Sequence, residues 1–140
     1  MSETRNLVRE LLTEIAETVD TLLQLTDDDL DAGCSHGCAN EGGIRRLLIH
    51  NAEHDRMHAA TISAARADNR RFQESELARL TRDLLRERVE LVGLLLGPGD
   101  DLLGLTARGD DWDIRKQVEH VLYYERDSMR VVREGQALPA

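Results

Sequence analysis

The stretch Ile44-Arg45-Arg46-Leu47-Leu48-Ile49-His50-Asn51-Ala52-Glu53-His54-Asp55-Arg56-Met57-His58 returns in altered form as Ile114-Arg115-Lys116-Gln117-Val118-Glu119-His120-Val121-Leu122-Tyr123-Tyr124-Glu125-Arg126-Asp127-Ser128. At a constant offset of 70 residues, Ile44 aligns with Ile114, Arg45 with Arg115, Leu48 with Val118, His50 with His120, Asp55 with Glu125 and Arg56 with Arg126. Apolar residues recur in both copies near every third or fourth position, so residues 44–62 and 114–132 read as two copies of one helical segment. Related helices that each present imidazole at the same level are a ready way to build a metal site inside a helical bundle.

Working outward, the same periodicity defines two further helices. Leu7, Leu11, Ile15 and Leu22, flanked by Val8, Leu12, Val19 and Leu23, predict a first helix over roughly residues 3–25, ended by the charged stretch Asp27–Asp31. A connection containing Gly33, Gly37, Gly42 and Gly43 leads to the second helix, roughly 42–67, with Asn40 as its N-cap. Leu77, Leu80, Leu84, Leu91 and Leu95 form the stripe of a third helix, roughly 73–96, stopped by Gly97-Pro98-Gly99. The fourth runs over roughly 112–134, opened by Asp111 or Asp113 in its first turn.

Residues 1–140 therefore read as a single all-α domain, an antiparallel four-helix bundle in which helices 2 and 4 are a pseudo-repeat. In an up-down-up-down arrangement those two helices run parallel, with His50 and His120 at one depth. His54 and His58 follow one and two turns along, at about 5.4 Å per turn.

Composition narrows the function. The net charge of −9 repels phosphate backbones and argues against nucleic-acid binding. No apolar run approaches the ~18 residues of a membrane span. The Met-Ser-Glu-Thr-Arg-Asn start lacks the pattern of a signal peptide, so a cytoplasmic protein with reduced cysteines is expected. Aromatic residues are only 3% of the chain, leaving Leu and Ala to build the apolar faces, which favours helix over strand.

The chemistry concentrates in the repeat. His50, His54 and His58 are four apart, so successive imidazoles lie about 40° apart on one helical face. His54 and His58 share an arc with Leu47, Asn51 and Ile62, the face expected to be buried, while His50 lies on its flank. Two imidazoles four apart can chelate one ion, and a third from another helix leaves an open coordination position. Asp55 and Glu125, equivalent in the two copies, are candidates to orient imidazoles through the second ring nitrogen, or else to pair with arginine. Arg88 interrupts the leucine stripe of helix 3 and, if it points inward, requires a carboxylate partner. Cys34, His36 and Cys38 form a compact Cys-x-His-x-Cys loop, readable as a secondary zinc or redox site or as a turn whose thiols pack under the bundle end.

The string from Ile44 to Ile62, with His54-Asp55-Arg56-Met57-His58-Ala59-Ala60-Thr61-Ile62 at its end, resembles the signature helix of the DinB-like family. That family is related to thiol-dependent transferases such as mycothiol-dependent maleylpyruvate isomerase. Trp112-Asp113-Ile114-Arg115, continuing to His120, is similar to the family's Trp-x-x-Arg-x-x-x-x-His helix start. The resemblance implies a four-helix bundle, a divalent metal (zinc or nickel) held by three histidines, and a homodimer. In the family one of those histidines comes from helix 2 and a four-spaced pair from helix 4. Here the pair's positions are Tyr124 and Ser128, and the four-spaced pair stands in helix 2 instead. The expected triad is therefore mirrored: His54, His58 and His120, with His50 as the alternative to His58.

The resulting expectation is a metal-dependent enzyme acting on a small-molecule substrate, with a low-molecular-weight thiol as co-reactant in transfer or isomerisation. The competing expectations are a non-catalytic binding or redox-sensing bundle and, third, a di-iron bundle, which needs ligands on helices 1 and 3, where no histidine occurs. The residues name neither a substrate nor a catalytic group beyond the metal ligands.

Overall fold

The computed structural model describes residues 2–37, 41–69, 74–97 and 99–139. The fold is all-α, with α1 over Glu3–Leu22, α2 over Gly43–Asp68, α3 over Glu76–Gly93 and α4 over Ile114–Gly135. Two short 3₁₀-helices, Asp27–Asp31 and Asp100–Gly104, precede α2 and α4. Among the described residues the only extended pairing is an isolated antiparallel bridge between Thr106 and Asp113. No described helix is long and apolar enough to cross a membrane.

The helix ends follow local chemistry. The Ser2 hydroxyl accepts from the Arg5 amide and starts α1. The last residues assigned to that helix from periodicity tighten instead into i→i−3 bonds, Gln24 to Thr21 and Leu25 to Leu22, so the α-helix stops at Leu22. Asp27–Asp31 does more than end the helix. The Asp29 carboxylate accepts from both the amide and the hydroxyl of Thr26, at 2.8 and 2.9 Å, and holds the segment as a 3₁₀ turn.

Ser75 starts α3, its hydroxyl accepting from the Ala78 amide at 3.1 Å. This places the first helical residue at Glu76, while the expected start at residue 73 lies outside the described residues. The stop comes at Gly93, before Gly97, because Leu95 and Leu96 turn back to Val92 and Gly93 in a tighter turn. Pro98 of the expected stop signal lies outside the described residues. At α4 the choice between two aspartates resolves to Asp113, which accepts from the Lys116 amide at 2.8 Å.

The chain divides into two compact units, Met1–Glu87 and Arg88–Ala140, the division falling within α3. In the first, the 3₁₀-helix Asp27–Asp31 docks on the start of α2. The Ile44 amide donates to the Ala32 carbonyl at 3.1 Å, and Arg45 pairs with Asp31 at 2.9 Å. Gly43, the one buried residue among those described, makes this junction possible. Its φ of +58° lies in the left-handed region, and a Cβ there would lie 2.5 Å from the Ala32 carbonyl oxygen. Gly42, not Asn40, occupies the N-cap position of α2; Asn40 itself lies outside the described residues.

The second unit repeats this construction. The 3₁₀-helix Asp100–Gly104 packs on the start of α4, and the Ile114 amide donates to the Leu105 carbonyl at 2.9 Å. Asp110 reinforces the joint: its carboxylate accepts from the Trp112 amide at 3.0 Å and from the Gln117 side chain at 2.9 Å.

Away from these junctions the apolar stripes are not covered by their own unit. Leu7, Leu11 and Ile15 of α1 and Leu77, Leu80 and Leu84 of α3 are exposed. On α2, Leu47, Leu48 and His50 near the docked 3₁₀-helix are half-buried. Asn51, His54, His58 and Ile62 further along are exposed. The face expected to be buried is thus covered only at its first turns, where Asp27–Asp31 and Ala32 lie against it.

Candidate functional site

The histidines of α2 form a ladder along one face. His50 and His54 have ring centroids 5.9 Å apart with planes inclined at 37°, while His54 and His58 stand edge to face at 4.4 Å and 74°. Helical geometry accounts for the neighbouring positions, since residues four apart sit one above the other. The decisive detail is how the lower two rings turn. Nε2 of His54 and Nε2 of His58 face each other at 3.1 Å.

Two ring nitrogens at that distance can do one of two things. One ring donates an Nε2–H to the other, which requires opposite tautomers. Alternatively, both present lone pairs to a shared cation. Ligands at about 2.0–2.1 Å on a tetrahedral ion are about 3.3 Å from each other, close to the spacing here. His54 and His58 therefore fit the chelating half of a metal site, with both rings open to solvent on one side. Among the described residues, no three or more His, Cys, Asp or Glu side chains are gathered around one point.

His120 belongs to the second unit and has surroundings of its own. Trp112 stands edge to face against it at 5.1 Å, and Tyr124, one turn further along α4, lies at 6.3 Å. Lys116 places its ammonium 5.2 Å from the centre of the Trp112 ring. Trp112 is half-buried and sits just before the Asp113 cap, a position that lets its ring fold back over the first turns of α4. The Ser128 hydroxyl, one turn beyond Tyr124, turns back to the Tyr124 carbonyl of its own helix.

The two carboxylates expected beside the histidines differ in their settings. Asp55 is exposed on α2. Glu125 is half-buried and pairs with Arg88, the arginine that interrupts the α3 stripe. Arg88 thus takes one of the carboxylates expected for it, with both side chains about a third exposed. In the Gly-rich loop, Cys34 is a free, half-buried cysteine and His36 is exposed, while Cys38 lies outside the described residues.

No protein-family model matches the chain, and no curated protein or solved structure proves similar to it. Geometry and residue chemistry carry the functional reading.

One feature near Glu125 escaped the sequence reading. Arg88, Leu122, Glu125, Arg126, Met129 and Arg133 line an open cleft of about 330 Å³ within the second unit. Its signal was present in the spacing. Arg126 and Arg133 have no acidic residue three or four positions away on either side, whereas Arg130 has Asp127 and Glu134.

Proposed function

We propose that this protein is a DinB-like bundle that binds a divalent ion, zinc or nickel, and acts as a metal-dependent enzyme of the thiol-dependent transferase or isomerase kind. The observation that supports this reading is the 3.1 Å approach of the His54 and His58 Nε2 atoms, which matches two ligands of one ion. When bound, such an ion acts as a Lewis acid toward a substrate oxygen or favours the thiolate of a thiol.

The chain's own part is to hold two imidazoles with their lone pairs converging. Both rings must then carry their proton on Nδ1, and protonation of either Nε2 competes with the ion, so binding weakens as pH falls. The exposed side of the ladder leaves room for a small-molecule substrate to approach. The antiparallel arrangement of the four helices and their pairing into a homodimer belong to the same proposal. Their support is that α1 and α3 carry apolar stripes that their own units leave in water, an arrangement that favours burial against further helices.

Elemental analysis of protein purified without a histidine tag tests the reading. The expected result is close to one zinc or nickel per chain, restored by dialysis against the metal after chelation. Protein that neither carries nor takes up a divalent ion would overturn it.

A further inference from the structure

We infer that the cleft lined by the end of α3 and by α4 from Leu122 to Arg133 is a binding site for a small organic dianion with an apolar body, of the class of phosphate monoesters. This site is independent of the histidine ladder, and neither proposal needs the other.

The chemistry of the lining sets the ligand. Leu122, Arg126, Met129 and Arg133 follow one another at intervals of four, three and four, which puts them in one row on α4. Arg88 reaches the same cleft from α3 and is held there by Glu125. Glu125 neutralises one of the three guanidinium groups, so two positive charges remain in excess. Arg126 and Arg133 make no ion pair among the described residues.

Arg130 supplies the contrast. It lies outside the cleft on the same helix and is doubly engaged, with Asp127 at 2.7 Å and Glu134 at 2.8 Å, which raises its already high pKa further. On the cleft side of the helix, Arg126 and Arg133 have no such partner among the described residues.

The guanidinium fork matches the oxygens of phosphate and carboxylate. Leu122 and Met129, 37% and 40% exposed, alternate with Arg126 and Arg133 along the row and offer apolar surface to a hydrocarbon body. A volume of about 330 Å³ falls at the small end of the range for organic ligands.

Equilibrium titration of the full chain with phenyl phosphate, inorganic phosphate and benzyl alcohol separates charge from body. Phenyl phosphate is expected to bind saturably and at least about tenfold more tightly than either of the others. The double variant Arg126→Gln with Arg133→Gln is expected to weaken it by about tenfold or more with helicity unchanged, whereas Arg130→Gln leaves it within about twofold. Absence of saturable binding overturns the site, as does wild-type binding by the double variant. An equal loss in Arg130→Gln would show diffuse surface attraction instead. Inorganic phosphate binding as tightly as phenyl phosphate would eliminate the organic body from the specificity.

Discussion

The amide of Ile114 donates to the carbonyl of Leu105 at 2.9 Å, and one repeat earlier the amide of Ile44 donates to Ala32 at 3.1 Å. Each acceptor immediately follows a five-residue 3₁₀-helix, Asp100–Gly104 in one case and Asp27–Asp31 in the other. The repeat is therefore longer than the matching helices suggest, because it includes the turn that docks on each helix start. The joints differ in chemistry. In the first, Gly43 allows the backbone to approach; in the second, Asp113, at the equivalent position, caps the helix with its side chain.

Gly43→Ala should open the first joint. The added methyl meets the Ala32 carbonyl, and the backbone sits where an L side chain is strained. A loss of about 1–3 kcal/mol is expected in urea unfolding. Gly33→Ala, where a methyl meets open space, should cost far less.

Asp113→Ala removes the acceptor of the Lys116 amide and should destabilise the second unit by about 1 kcal/mol. Asp113→Asn, which keeps an acceptor, should recover most of that loss. Thermal unfolding followed by circular dichroism makes the comparison.

Asp29 should titrate below its ordinary value of 3.8, because bonds from the backbone and then the side chain of Thr26 stabilise its carboxylate. A carboxylate whose folded pKa is depressed contributes stability that is complete above the unfolded value and is lost as pH falls through the folded one. The Asp27–Asp31 turn should thus loosen only under acid conditions. Side-chain carboxyl NMR of the wild type and of Thr26→Val reports this directly, with the variant's Asp29 moving upward.

His54→Ala and His58→Ala should each remove bound zinc or nickel while leaving helicity intact, since both rings are exposed and fill no core. His120→Ala tests the third ligand expected from the sequence in the same assay. Metal retained at the wild-type level in both α2 variants would contradict the proposed chelate.

Arg88 and Glu125 should show modest coupling. Both are about a third exposed, so solvent screening limits a double-mutant cycle to about 0.5–1 kcal/mol, decreasing with added salt. Coupling that is insensitive to salt would mean the pair is held in a drier setting.

Much of this was legible in the primary structure where the governing interactions are local. A carboxylate partner for Arg88 followed from its place in a leucine stripe, with Glu125 among those it could take, although the pair is part-exposed and not enclosed. Asp113 was one of two aspartates expected in the first turn of this helix, and it stands one position earlier, as the cap, because its side chain takes the Lys116 amide. The Thr26–Asp29 turn was missed although its Thr-x-x-Asp spacing stood in the sequence, because the charged run read simply as a helix stop. Asn40 as a cap rests on side-chain propensity, which carries no knowledge of the Ala32 carbonyl that takes the Ile44 amide at this helix start; Gly42 stands at the N-cap.

By itself the sequence determined four helices, their approximate ends and the kinship of α2 with α4, since apolar periodicity and caps act within a few residues. Only the tertiary structure decided which carbonyl each repeat's isoleucine amide reaches, which carboxylate Arg88 takes, and that the α4 arginines face one cleft. Those outcomes depend on residues distant in the chain coming together, and spacing along a helix fixes a direction but not the neighbour found there.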